Sequence, residues 1–259
     1  MSSTQLRCYE DDVLRNSGIE SLQVVPFPTE KQVLAARDRL LKLIADFPLR
    51  SERCRSAWLA GLLTVVARPR LLRGPSPVFV VSADEPGLGA SLLCDVAAVL
   101  ATGERMRRVN LAGSSQQQKN RTLAATEKTH GLTAICVEPM PSPRSFVIEQ
   151  FLHSGAVWWF SGVGERIVAN DAFLAAHASK FLVSMHLTAE LRRPASELHI
   201  PDLCGYVTEF REGYLVDCLT LLHGAMQDLP DFESFDWSEL IQGALANAKL
   251  ADPFAEVQS

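Results

Sequence analysis

Residues 78 to 103, "VFVVSADEPGLGASLLCDVAAVLATG", narrow what this chain can fold into more than any other stretch. An apolar, β-branched run from Val78 to Val81 ends in a Gly/Pro loop, and the segment after the loop reads as a helix closed near Gly103. A short run of this kind suits a strand buried on both faces, as parallel strands covered by helices are. "LTAICVE" (132–138, stopped by Pro139), "AVWWFS" (156–161) and "KFLVSMHL" (180–187) have the same character, each separated from the last by a helix-length segment. Strands alternating with helices predict an α/β three-layer sandwich with a mostly parallel sheet.

Around this core the sequence divides into three parts. Residues 1–28 read as an irregular lead-in closed by "PFP". Residues 29–200 hold a helical preface and the α/β core. Thr29 with Gln32 fits a capping box, Val33, Leu40, Leu41, Ile44 and Phe47 recur at helical spacing until Pro48, and a second helix covers roughly 52–67. Residues 201–259 form a C-terminal helical region, with a helix or helix pair over 201–228 and a final helix over 234–250.

The loop has the outline of the phosphate-binding pattern GxxxxGK[ST]. In that pattern backbone N–H groups wrap the phosphates, the lysine reaches the outer ones, and the hydroxyl residue holds magnesium. In register, Asp84 stands at the first glycine, Gly89 at the second, Ala90 at the lysine and Ser91 at the hydroxyl, with Gly87 as a further turn residue. A charge-assisted hydrogen bond contributes about 1.5–3 kcal/mol, so loss of the lysine alone costs one to two orders of magnitude in anion affinity. A carboxylate such as Asp84 or Glu85 about 6 Å from an anion, at an effective dielectric near 20, adds roughly 2.5–3 kcal/mol of repulsion. Catalysis suffers more than binding, because charge builds on the transferring phosphoryl group in the transition state. On the motif alone, a plain strand-to-helix turn is an equal reading.

The flanks add a resemblance. "ADFPLRSERCRSAWLAGLLTVVARPRLLRGPSPVFVVSADEPGLGASLLCDVAAVLATG", "LRRPASELHIPDLCGYVTEFREGYLVDCLTLLHGAM" and "FESFDWSELIQGALA" are similar to the helical lead-in, first core strand, phosphate loop and C-terminal helices of a known group. The chain resembles the ATPase portion of primase-helicase-like proteins of phages and related mobile elements, P-loop proteins placed near the AAA+ group, from about residue 29 to 254. The resemblance implies a P-loop NTPase-like fold, an acidic residue followed by Asn on a second strand, a γ-phosphate sensor, an arginine finger and a hexamer. This sequence departs at the chemistry. Ala90 replaces the lysine, Glu138 is followed by Pro139, and no Asn-rich sensor strand is recognisable. "KFLVSMHL" stands there with His186 at the polar position, or it is the next strand and the sensing segment is deleted. Glu138 as a metal ligand and Arg166 as a finger are the candidate remnants, although a surface salt-bridge partner is the stronger reading of Arg166.

The expected function is therefore a catalytically degenerate ATPase-like protein with no catalytic residues and no metal of its own. Gly87, Gly89, Ala90 and Ser91 form its relic nucleotide loop, and any ATP or magnesium binding is weak. It would act on a protein partner as a cytoplasmic regulator or inhibitor, with oligomerisation open. The first alternative is a divergent replication or helicase ATPase, its lysine replaced in space by Lys119, Arg121 or a neighbouring subunit. The second is a DNA-binding module using Arg105, Arg107, Arg108, Lys119, Arg121 and Lys128, which the net charge of -5 disfavours because nucleic-acid affinity needs a basic excess.

Other features point away from further chemistry. The six cysteines lie far apart along the chain, giving neither a zinc pattern nor a disulfide framework. His130, His153, His177, His186, His199 and His223 are scattered and read as structural. The N-terminus lacks the basic start of a signal peptide, and the longest apolar run, "AWLAGLLTVVA", is 11 residues and too short to span a bilayer. Trp158 and Trp159 face opposite sides of a strand, so one is core and the other is either packed or an interface anchor.

Overall fold

The computed structural model describes residues 10–15, 17–71, 75–110, 115, 118, 121, 122, 124–126, 134–138, 156–163, 182–227, 229 and 234–254. Among the described residues, five strands form one sheet: β1 (Val78–Ala83), β2 (Arg107–Val109), β3 (Ala134–Val137), β4 (Val157–Val163) and β5 (Leu182–Leu187). Their order is β2-β3-β4-β1-β5, and every pairing is parallel. With helices flanking the sheet, this is an α/β architecture consistent with a three-layer fold of the P-loop kind.

Helices α1 (Glu30–Leu43), α2 (Glu52–Ala67), α3 (Ala90–Thr102), α4 (Leu203–Glu209), α5 (Arg211–Met226) and α6 (Gly243–Asn247) accompany the sheet. The capping box of α1 is present, with the Thr29 hydroxyl accepting from the Gln32 N–H and the Gln32 side chain accepting from the Thr29 N–H at 2.8 Å. Helix α2 opens at Ser51, whose hydroxyl accepts from the Cys54 N–H, and is buried without interruption from Ser56 to Ala67. Helix α5 packs along α1, and α3 packs on both α2 and α4.

The sheet is buried on both faces, as its apolar runs require. Phe79, Val81, Cys136, Trp159, Val183 and Met185 point into the main core shared with the helices, while Val80, Ile135, Val137, Trp158 and Phe160 build a second cluster on the other face. Trp158 is 2% exposed and Trp159 0%, so both are packing residues and neither is an exposed anchor. Trp159 stacks on Phe79 with ring centroids 5.1 Å apart, and Gly61 of α2 lies so close that a Cβ there would sit 2.5 Å from the Trp159 ring. A glycine inside a buried helix is thus explained by an indole that needs its room.

The structure differs from the sequence reading at several elements. Residues 10–15 of the lead-in are helical and carry Val13 into the main core. Strand β2 was not foreseen, because "RRV" is three residues long and buries only Val109, so neither alternation nor an apolar run marks it. Of the helix or helix pair read over 201–228, the structure has the pair, broken at Phe210. The final helix is shorter than 234–250, consisting of a π-helical stretch, Ser238–Gln242, followed by α6.

Candidate functional site

The loop between β1 and α3 keeps the geometry that its glycines suggest. Gly87 and Gly89 have φ of +87° and +95°, in the left-handed region that side chains resist. Gly89 caps α3, and its carbonyl accepts the Leu93 N–H at 2.8 Å. Two effects meet at Gly89, since a Cβ there would also lie 2.9 Å from Phe47, whereas nothing lies within 4 Å at Gly87. Gly89→Ala is expected to lower stability by about 1–3 kcal/mol and Gly87→Ala by less, measured by denaturant melts. Equal costs would remove Phe47 from the explanation.

An open cleft of about 620 Å³ lies over this turn, lined by Glu85 to Leu92 together with Glu138 and Ser161 to Val163. A second, largely apolar pocket of about 310 Å³ shares Gly87, Leu88, Gly89 and Leu92 as its wall and is lined further by Leu43, Phe47, Pro48, Leu198 and Ile200, with Arg192 and Arg193. The loop therefore forms a wall common to two clefts, both lined by more apolar than polar surface.

Two residues far apart in sequence meet in the first of these clefts. The Ser91 hydroxyl donates to Glu138 Oε1 at 2.5 Å, so the hydroxyl position of the loop and the acidic end of β3 are in direct contact. Strand β4 lies between β1 and β3, and its Ser161 hydroxyl also bonds Glu138. Arg108, at the centre of β2, completes the group. Its Nε donates to Glu138 Oε2 at 2.9 Å, its Nη1 to Asp95 Oδ1 at 2.9 Å, and its Nη2 to the Ser91 carbonyl at 3.0 Å. Burial pushes the Glu138 carboxyl up, but the Ser91 and Ser161 hydroxyls and the Arg108 charge outweigh it and hold the group below the ordinary carboxylate range. Burial pulls Arg108 down, and Asp95 and Glu138 more than restore it.

Arg108 and Asp95 escaped the sequence reading. The signal was an acid in the middle of "SLLCDVAAVLAT", because a carboxylate in an apolar helix face needs a partner. Arg108 is correspondingly withdrawn from the surface basic patch, while Arg105, Arg107 and Arg121 are exposed. Lys119 and Lys128 lie outside the described residues, as does Arg166, the candidate finger.

The loop carboxylates are also engaged. Asp84 pairs with His186 Nε2 at 2.8 Å and accepts the Ala189 N–H at 3.0 Å, a bond that leads the effects holding its pKa below the ordinary value. Glu85 pairs with Arg192 Nη1 at 3.1 Å. The repulsion expected from these two acids is thus partly offset by their own partners. Ser82 Oγ lies 2.8 Å from His186 Nδ1, giving a row Ser82, His186, Asp84, none of which lines the cleft of Ser91 and Glu138. The described part of "KFLVSMHL", Leu182–Leu187, forms β5, on the side of β1 away from β3, so His186 serves Asp84 and the strand between β1 and β3 is β4. His199 binds Asp46 through both its N–H and its ring, and His223 is buried with Nδ1 3.2 Å from the Val25 carbonyl. Both have structural roles.

No protein-family model matches the chain. No curated protein matches it either. Among solved structures, the chain is similar to the X-ray structure of JCV helicase at 12% identity and a TM-score of 0.24, over 94% of this chain and 70% of that one. A likeness at that score carries no argument about fold or function.

In a phosphate loop the hydroxyl and the acid would hold magnesium, which demands oxygen ligands in near-ideal octahedral geometry. Here Glu138 spends Oε1 on Ser91 and Oε2 on a guanidinium, and the cation beside it repels a dication. As arranged, these residues do not fit the metal. Among the described residues no group of three His, Cys, Asp or Glu side chains could hold a metal ion, and no helix is long and apolar enough to cross a membrane.

Proposed function

We propose that this chain is a P-loop-type protein that has lost nucleotide hydrolysis and acts in the cytoplasm by binding a protein partner, as its regulator or inhibitor. One observation carries the reading. A methyl group, Ala90, opens α3 where the loop needs a cation, and the cation that reaches the site among the described residues, Arg108, is committed to Glu138, Asp95 and the Ser91 carbonyl. Phosphoryl transfer depends on positioned positive charge at the transferring group, and a guanidinium held by two carboxylates has little to give to an incoming phosphate.

Titration with a fluorescent ATP analogue tests the nucleotide half. Wild type is expected to bind weakly, and Ala90→Lys to gain about tenfold or more in affinity with no turnover in either protein. Magnesium-dependent hydrolysis by wild type would overturn the reading. The partner half is tested by capture from native extract with and without ATP, where equal recovery is expected and strict ATP dependence would contradict a purely scaffolding role.

A divergent ATPase is the second reading. The direct Ser91–Glu138 hydrogen bond and a second pocket of about 310 Å³ against the loop, large enough for a nucleobase, favour it. It requires Glu138→Gln to abolish an existing activity.

A further inference from the structure

Arg108 is fixed by more than its side-chain bonds. Its backbone is in register with Cys136 of β3, and the Glu138 N–H donates to the carbonyl of the next residue on β2, Val109, at 3.0 Å. The ends of β2 and β3 are thus tied together, and the guanidinium and the carboxylate are brought face to face by the sheet itself. Three of its nitrogens then reach two other elements, with Nε on the end of β3 and Nη1 and Nη2 on the Asp95 carboxylate and Ser91 carbonyl of α3. A planar fork used in this way is the particular capacity of arginine.

We propose that Arg108 is the resident cation of this site, standing in for the divalent metal that a hydroxyl–carboxylate pair would otherwise hold. The inference rests on the reading of the loop as non-catalytic and gives it a cause. A dication approaching Glu138 must displace the guanidinium, which strands the Asp95 carboxylate, only 9% exposed, or sit beside a like charge. Either way the site is closed to metal, and it is closed by a residue of this chain. Removing the guanidinium should open it, because Ser91 and Glu138 remain in place.

The test uses the nucleotide-free full chain and Mn²⁺ as the probe, with free Mn²⁺ read by electron paramagnetic resonance. Wild type and Glu138→Gln are expected to bind Mn²⁺ equally, showing that Glu138 holds no metal. Arg108→Gln is expected to gain a site at least tenfold tighter than any in wild type, and the gain should vanish when Glu138→Gln is added. A wild-type site weakened tenfold by Glu138→Gln would overturn the proposal, as would a folded Arg108→Gln that gains nothing. If Arg108→Gln does not fold, the wild-type and Glu138→Gln pair decides alone. No nucleotide is present and no turnover is read, so a negative result leaves the proposed absence of hydrolysis standing, while hydrolysis by wild type would strike that reading directly.

Discussion

Trp159→Ala is expected to destabilise the protein by about 3–5 kcal/mol, lowering the melting temperature by roughly 6–20 °C for a chain of this size. The indole is fully buried between β1 and α2, stacked on Phe79 and pressed against the bare Cα of Gly61. Its removal leaves a large apolar cavity at the seam between sheet and helix, where neither element can collapse without losing its own contacts. The same contact makes the reciprocal substitution costly. Gly61→Ala alone is expected to lose about 1–3 kcal/mol by overpacking. In the Trp159→Ala background the new methyl would enter the vacated space and cost little. Denaturant melts of the four proteins measure this coupling, and additive costs would show that Gly61 and Trp159 do not constrain each other.

Arg108→Gln should carry the second large effect, about 2–3 kcal/mol. This is less than the full cost of breaking a buried ion pair because Arg108 stays 32% exposed. The variant leaves Asp95 and Glu138 without their shared cation, and its cost depends on pH in a definite direction. In the folded chain Glu138 titrates below its ordinary value of 4.5, so the stabilisation from its ionised form is complete above that pH and is lost as pH falls through the lower folded value. The difference between wild type and Arg108→Gln is therefore expected to be flat from neutral pH down to about 5 and to shrink in more acid solution. A difference that grows on acidification would contradict the assigned ion pair.

These two sites show what the sequence reveals and what it conceals. The run "VFVVS", the positive-φ glycines and the helix after them were legible because each rests on local chemistry: β-branched apolar residues, a turn that tolerates no Cβ, a helix that begins where the loop ends. The pairing of Ser91 with Glu138 was legible only through resemblance, since 46 residues and two strands separate them and no spacing rule connects a helix start with a distant strand end. Arg108 was hidden for the opposite reason. Placed among Arg105 and Arg107, it read as one more surface charge, although Asp95 in an apolar helix was already asking for a cation. The place of "KFLVSMHL" could not be read at all, because strand order is decided by crossovers that leave no mark in local composition.

The account stands on one chemical claim, that a loop opening on Ala90, with its acid held by Arg108, does not hydrolyse nucleotide. Single-turnover phosphate release with purified protein in excess over radiolabelled ATP and with millimolar magnesium tests it most directly, because even a very slow chemical step would register. Wild type is expected to release phosphate no faster than Glu138→Gln. Release by wild type that Glu138→Gln abolishes would contradict the claim and make this loop a working, divergent ATPase site.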